Sequence, residues 1–278
     1  MLPVTHAQAR IAAAPGASYA GASSGGRGAS GGGGGVRYTY REYRFLPPYL
    51  RRVIKWNQMD TEYTMWQMVN LCVAPKAVYK QTSFRKQTKN QWARDDPAFV
   101  VILAALVALS AVAYCLAFGR PPLWRWAVGV AWAVFVDFLG TGAVIATVCW
   151  GISNAYLRRD GGAGHSHAVE QRVEWMYAFD VHCNAYFPLF VTLYVLQFFL
   201  SPLLLQHGYL AAIASDTLYA GALSYYAYVT FLGYNQLPFL ERTELFLCPI
   251  WLVLAALPLC IIGGFNATRF TLAMAFDY

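Results

Sequence analysis

Arg85-Lys86-Gln87-Thr88-Lys89-Asn90-Gln91-Trp92-Ala93-Arg94-Asp95-Asp96-Pro97-Ala98-Phe99 is the stretch on which the fold of this chain turns. A basic, aromatic-bearing segment stops at two aspartates and a proline, and an uncharged apolar run continues from there as far as Phe118. Asp96 suits the cap of a helix and Pro97 its first turn, where a missing N–H costs nothing. At 1.5 Å per residue, about 20 apolar residues cross a hydrocarbon core of about 30 Å. The stretch therefore reads as a junction between water and membrane. The residues before it face water or the membrane surface, and most of those after it lie in lipid.

Composition points the same way. The chain of 278 residues is 58% hydrophobic and 13% charged, where a soluble domain carries about 25% charged residues. Apolar segments of spanning length fall at about 97–118, 123–156, 183–205, 210–232 and 245–265, and their length favours helices over buried strands. The fold class expected is an all-α membrane protein of five transmembrane helices behind a cytosolic, basic, partly helical segment at 37–96. Residues 1–36 are rich in Gly, Ala and Ser, with five consecutive glycines from Gly31 to Gly35, and read as a disordered tail. They contain no continuous apolar core of a signal peptide, so the first span is expected to act as the targeting signal. Residues 266–278 read as a short tail.

Of 21 Lys and Arg, 14 precede Pro97. If the N-terminus is cytosolic, one side of the membrane holds 18 basic residues and the other 3, and the positive-inside rule favours that orientation. The C-terminus is then lumenal, where Asn266-Ala267-Thr268 forms a glycosylation sequon crowded against the membrane. The six cysteines have neither CxxC nor metal-ligand spacing, and a disulfide framework is not expected.

The cytosolic stretch is the first candidate site. From Asp60 to Val73 the pattern is helical, with Met65, Val69 and Cys72 on one stripe and Trp66 beside it. Trp66, Arg85, Lys86, Lys89, Trp92 and Arg94 suit an interfacial helix on anionic membrane lipids, a docking face for a cytosolic partner, or phosphate contacts and base stacking on RNA. A docking face would rest on Trp66 and Trp92 as buried aromatic anchors. The second candidate is Asp137, an acid inside a span. It is open to a role as proton relay in a proton-coupled transporter or as an interhelical hydrogen bond next to Gly140 and Gly142; Asp216 is a further intramembrane acid. The third is Asp180 with His182, whose i, i+2 spacing sends them to different sides of a helix. That spacing suits a boundary hydrogen-bond cluster better than an acid/base pair. The fourth is Tyr228 to Leu240, an aromatic belt and turn. The sequence contains no nucleophile elbow, phosphate loop, zinc signature or paired carboxylates, so neither an enzyme nor a cofactor is expected.

At these segments the chain resembles the Uncoordinated-fifty family of Golgi multipass membrane proteins. The resemblance is carried by Gln58-Met59-Asp60, Trp66-Gln67-Met68, Arg85 to Phe99, Ile152-Ser153-Asn154, Val173 to Pro188 and Tyr228 to Leu240. It implies a five-span, non-enzymatic protein of vesicular traffic that associates with cytosolic Arf guanine-nucleotide exchange factors and aids surface delivery of receptor cargo. RNA binding is a further implied property. The Gly/Ala-rich tail and the Gly161 to His167 loop lie outside the pattern.

Overall fold

The computed structural model describes residues 59–119, 122–159 and 171–276; the expectations for 1–58 and for the Gly161 to His167 loop lie outside them. Among the described residues the fold is helical throughout, without a strand. Its helices are α1 (Thr61–Val73), α2 (Pro75–Lys89), α3 (Ala98–Phe118), α4 (Trp124–Tyr156), α5 (Trp175–Leu204), α6 (Tyr209–Asn235), α7 (Thr243–Ile262) and α8 (Ala267–Phe276).

One carboxylate organises the water–membrane junction. Asp96 Oδ1 accepts from Ala98 N at 3.0 Å and so caps α3, while its Oδ2 accepts from Asp60 N at 2.9 Å. Asp60 in turn caps α1 through Tyr63 N. The start of α1 is thereby fixed at the depth where α3 enters the bundle. The other end of α1 lies against α6, where the Tyr225 hydroxyl donates to the carbonyls of Leu71 and Cys72. Helix α1 thus runs crosswise from α3 to α6. It buries Thr64, Gln67, Met68 and Leu71 and turns Met65, Trp66, Val69 and Val73 outward. A crosswise helix with an apolar outer face at the membrane junction has the form of an interfacial helix. Helix α2 returns along α6, with Tyr79 against Gly233 and the Gln236 side chain donating to Ser83 Oγ at 2.7 Å. Its outer face carries Lys76, Lys80, Phe84 and Gln87.

Among the described residues four helices are long and apolar enough to cross a membrane: α3, α4, α5 and α7, of 21, 33, 30 and 20 residues. Helix α6 has the length, with 27 residues, but Ser215, Asp216, Thr217 and its many tyrosines dilute its hydropathy. It runs antiparallel to α5. Near one end the Tyr177 hydroxyl donates to Gly233 O at 2.7 Å. Towards the other, Asp216 and Asn266 tie α6 and the start of α8 to the last turn of α5. The third expected span begins at 183, whereas α5 is already helical from Trp175; the polar residues Asp180 and His182, which read as a boundary, lie inside a continuous helix. Residues 267–276, expected as part of a simple tail, form α8.

Two spans contain wide, π-helical turns, Ala133–Gly140 in α4 and Val191–Leu196 in α5. The second comes just after Pro188, which cannot donate to the helical ladder and clashes with the preceding turn, a recognised cause of local helix distortion. Close approach of the spans depends on glycine at two positions. A Cβ on Gly142 would lie 2.5 Å from the His182 ring, and one on Gly233 would lie 2.7 Å from Val181.

Replacing Gly233 by alanine is expected to lower stability by about 1–3 kcal/mol through overpacking. Replacing Gly221, where a Cβ meets nothing within 4 Å, is expected to be neutral or mildly stabilising. Unfolding of the two purified variants in detergent, side by side, measures the difference.

Candidate functional site

The segments that stand out in the sequence converge at one end of the bundle, around a strap formed by residues 91–94. Asn90 caps α2 in the left-handed conformation, φ 55°, a geometry that asparagine tolerates better than most residues, and so turns the chain back towards α5. There the strap is gripped by carboxylates. Glu174 accepts from Trp92 N and Ala93 N, each at 3.2 Å, and Asp180 Oδ2 accepts from Arg94 N at 2.6 Å.

The Arg94 side chain enters the core behind the strap. Its Nε lies 3.3 Å from Asp180 Oδ1, with the two side chains only 7% and 6% exposed. Nη2 donates to Asp180 O at 3.1 Å and to Asn184 Oδ1 at 2.8 Å, and Nη1 reaches Gln67 Oε1 at 3.4 Å. The guanidinium carbon sits 4.2 Å from the centre of the Phe99 ring. Desolvating an ion pair is costly unless its remaining hydrogen-bonding capacity is used, and the planar five-donor fork of arginine suits such a site better than lysine. The site joins α1, the strap, the first turn of α3 and α5 through one side chain. Beside it Tyr79 is fully enclosed, and burial pushes its hydroxyl pKa upward, so it stays neutral.

The same end is tied to α4 and to the α6–α7 turn. Asn154 exchanges two hydrogen bonds with the Val173 backbone, and Trp150 Nε1 donates to Val173 O at 2.9 Å. Arg159 N donates to Phe239 O, and Glu241 N donates to Leu157 O. Trp92 is 6% exposed and packs against Tyr177 and Phe239, with Lys86 Nζ 5.7 Å from its ring centre.

This placement corrects the reading of the basic run as one exposed face. Trp92 and Arg94 are internal and hold the strap, so a partner does not reach them in this conformation. Arg85 and Lys86 are half-buried and Trp66 is exposed, stacked on Tyr63. Lys89 lies in the last turn of α2.

The other polar candidates separate. Asp180 belongs to Arg94, whereas His182 Nδ1 pairs with the Tyr226 hydroxyl at 2.8 Å among Phe138, Phe179 and Tyr186, so the two do not form an acid/base pair. Asp137 is half-buried in the wide turn of α4, and its backbone carbonyl accepts from the Thr141 hydroxyl. Asp216 Oδ1 caps α8 by accepting from Ala267 N at 3.0 Å. Asn266 donates to Leu204 O and accepts from Arg269 N, and Thr268 is wholly buried against Ser215. Both ends of the sequon are thus engaged, Asn266 with Leu204 and the start of α8 and Thr268 with Ser215 of α6. Glu174, Asn184 and Gln67, which hold the strap and its arginine, lie in the segments Val173 to Pro188 and Trp66-Gln67-Met68 that carry the resemblance, but no local motif gave them a role.

Comparison with known proteins places this arrangement. A family model described as UNC-50 family matches residues 49–276. "Protein unc-50 homolog" of Dictyostelium discoideum is 50% identical over 228 residues, 82% of this chain and 86% of that protein. "Protein unc-50" of Caenorhabditis elegans is 41% identical over 225 residues, covering 81% and 72%. "Protein unc-50 homolog" of Homo sapiens is 38% identical over 254 residues, covering 91% and 94%. No solved structure matches this chain.

Arg94→Ala and Asp180→Ala are each expected to destabilise the protein by about 3–5 kcal/mol, because each leaves a buried charge unpaired. The double variant Arg94→Met/Asp180→Leu is expected to lose less than either alanine variant. Denaturant unfolding of the purified proteins checks the order. Asn266→Gln is expected to leave electrophoretic mobility of the cell-expressed protein unchanged, before and after glycosidase.

Proposed function

The chain belongs to the UNC-50 family, and on that footing we propose that it is a five-span Golgi membrane protein of vesicular traffic. In this reading it is a scaffold rather than an enzyme. It recruits Arf guanine-nucleotide exchange factors to the cytosolic face and aids surface delivery of receptors. The N-terminus is cytosolic and the C-terminus lumenal, as the basic-residue asymmetry favours. Five crossings are supported by the antiparallel pairing of α6 with α5 along its height: if α5 crosses, its partner does too.

The observation that carries the reading is the rigid seating of the α1–α2 hairpin. The strap, its two carboxylate clamps and the buried Arg94 fix the hairpin against the spans. It therefore presents Trp66, Phe84, Lys76 and Lys80 outward in a set orientation. A held platform limits the ordering cost of binding, which suits recruitment of a soluble partner to a membrane. RNA attracted by the same charges is the competing occupant, and its binding would fall steeply with salt.

A second reading, proton-coupled transport, keeps one observation in its favour: Asp137 lies in a π-helical turn, a feature frequent at functional sites. Against it, Asp180 and Asp216 are engaged in structural bonds. pH-dependent flux in vesicles that is lost in Asp137→Asn would establish it, and flux indifferent to that substitution removes it.

For the scaffold, the double variant Trp66→Ala/Phe84→Ala is expected to weaken exchange-factor capture by about 2 kcal/mol or more, roughly thirtyfold, as for exposed aromatic anchors. Neutralising Arg85, Lys86 and Lys89 together is expected to give a smaller, salt-dependent loss. Pull-down by the full-length protein with purified exchange factor measures both, with Golgi residence as the control. Undiminished capture by the double variant would remove the hairpin face from the mechanism.

A further inference from the structure

A cleft of about 660 Å³ opens between α5 and α6. Pro188, Val191 and Thr192 line it from α5, Ala214 to Tyr225 from α6, and Cys72 from the end of α1. We propose that this cleft is a binding site for one acyl chain of an anionic phospholipid drawn from the cytosolic leaflet.

The cleft has a structural origin in both walls. Past Pro188 the α5 backbone widens into its π-helical turn at Val191–Leu196, and the facing side of α6 is built of small residues. A Cβ on Gly221, inside the cleft, would meet nothing within 4 Å. The lining is mostly apolar: the Thr192 hydroxyl is spent on Pro188 O at 2.9 Å and the Tyr225 hydroxyl on the α1 carbonyls, which leaves Thr217 as its polar side chain.

Depth selects the occupant. From Tyr225 to Ala214 the cleft runs along 11 residues of α6, about 16 Å at 1.5 Å per residue. That is about half of a 30 Å hydrocarbon core, the depth of one leaflet. Its upper end is bounded by the carboxyl end of α1, seated on Tyr225. A transmembrane helix of a partner needs the full thickness to lie along, whereas an acyl chain of the near leaflet needs only this depth.

Charge selects the headgroup. Lys76 and Lys80 follow Cys72 across the break at Ala74, in the first two turns of α2, and both are exposed. The first turn of α2 carries no acidic residue and no side-chain cap. A phosphate held there meets cations and the positive end of the helix. Which leaflet supplies the lipid rests on the proposed orientation; occupancy of the cleft does not, and neither depends on the trafficking partner.

The full-length protein, reconstituted in phosphatidylcholine vesicles, is irradiated with trace phosphatidylserine bearing a mid-chain diazirine, and adducts are mapped by peptide mass spectrometry. Adducts are expected to concentrate between Pro188 and Thr192 and between Ala214 and Tyr225, and to fall several-fold in Gly221→Phe, which fills the cleft. Ala214→Leu narrows it with a smaller change, should the larger one not fold, and thermal unfolding of each variant confirms its integrity. Lys76→Glu/Lys80→Glu is expected to erase the preference for the serine lipid over a matched choline probe. Adducts spread evenly over the lipid-facing spans, or unaltered in folded cleft variants, would overturn the site. Equal labelling by the two probes in the unmodified protein would overturn its anionic specificity. A hydroxylamine-labile acyl group on Cys72 filling the cleft would overturn the phospholipid as its occupant.

Discussion

A guanidinium enclosed at the edge of a membrane has to be met by acceptors on every side, and Arg94 imposes that requirement on the whole of its end of the bundle. Charge left unpaired in such a place costs several kcal/mol. Asp180, Asn184 and Gln67 must therefore stand around it, and they come from α5 and α1. Because Arg94 lies only a few residues before α3, satisfying it also sets how far the first span is drawn into the bundle. Glu174 then fixes the backbone of the strap, and Trp92 closes the gap towards Tyr177 and Phe239. The other contacts of this end are consistent with that placement.

Much of the architecture was legible because lipid imposes a simple rule on composition. The junction at Asp96 and the start of α3 are set by an uncharged run of sufficient length, and the long α4 by an apolar run that holds only Arg125 and Asp137 as charges. Helix α1 was legible as a helical stripe of Met65, Val69 and Cys72, which the structure turns outward. The misreadings share one cause: polarity in a sequence does not say whether the polar group is wet. Asp180 looked like the edge of a span because its partner, Arg94, lies 86 positions away. Trp92 looked like an anchor for a partner because it sits among cations, yet it packs within its own chain on Tyr177 and Phe239. Asn266 and Thr268 matched a local motif while their side chains were committed to α5 and α6.

The wide turns limit sequence reasoning in another way. A π-helical turn breaks the regular 3.6-residue phase of a span, so a stripe traced from one end of α4 or α5 does not continue on the same face at the other. Proline at 188 gives a reason for the turn in α5; nothing comparable marks the one in α4. The interior of the bundle was therefore harder to foresee than its ends, and the pairing of His182 with Tyr226 across α5 and α6 had no local signature. Gly142 read as a place of close helix approach beside Asp137, and His182 is what approaches it; Gly233 was silent until Val181, which faces it, was known.

The last of the spans stands apart from this organisation. Helix α7 is held at its head, where Phe246 stacks on Tyr234 at 4.1 Å and Thr243 bonds to Asn235, but none of the residues 248–262 is buried within the protein. Ile250, Val253, Leu257, Cys260 and Ile261 are half-buried at helical spacing, so α7 lies along α6 on one apolar seam while its other faces remain exposed. The molecule thus has a graded attachment from one side to the other, from a side stapled by ions and amides to a side joined by apolar contact alone. Changes in bilayer thickness or lateral pressure would be met first by tilting α7 along that seam, while the stapled side, and the α1–α2 hairpin fixed to it, keep their shape.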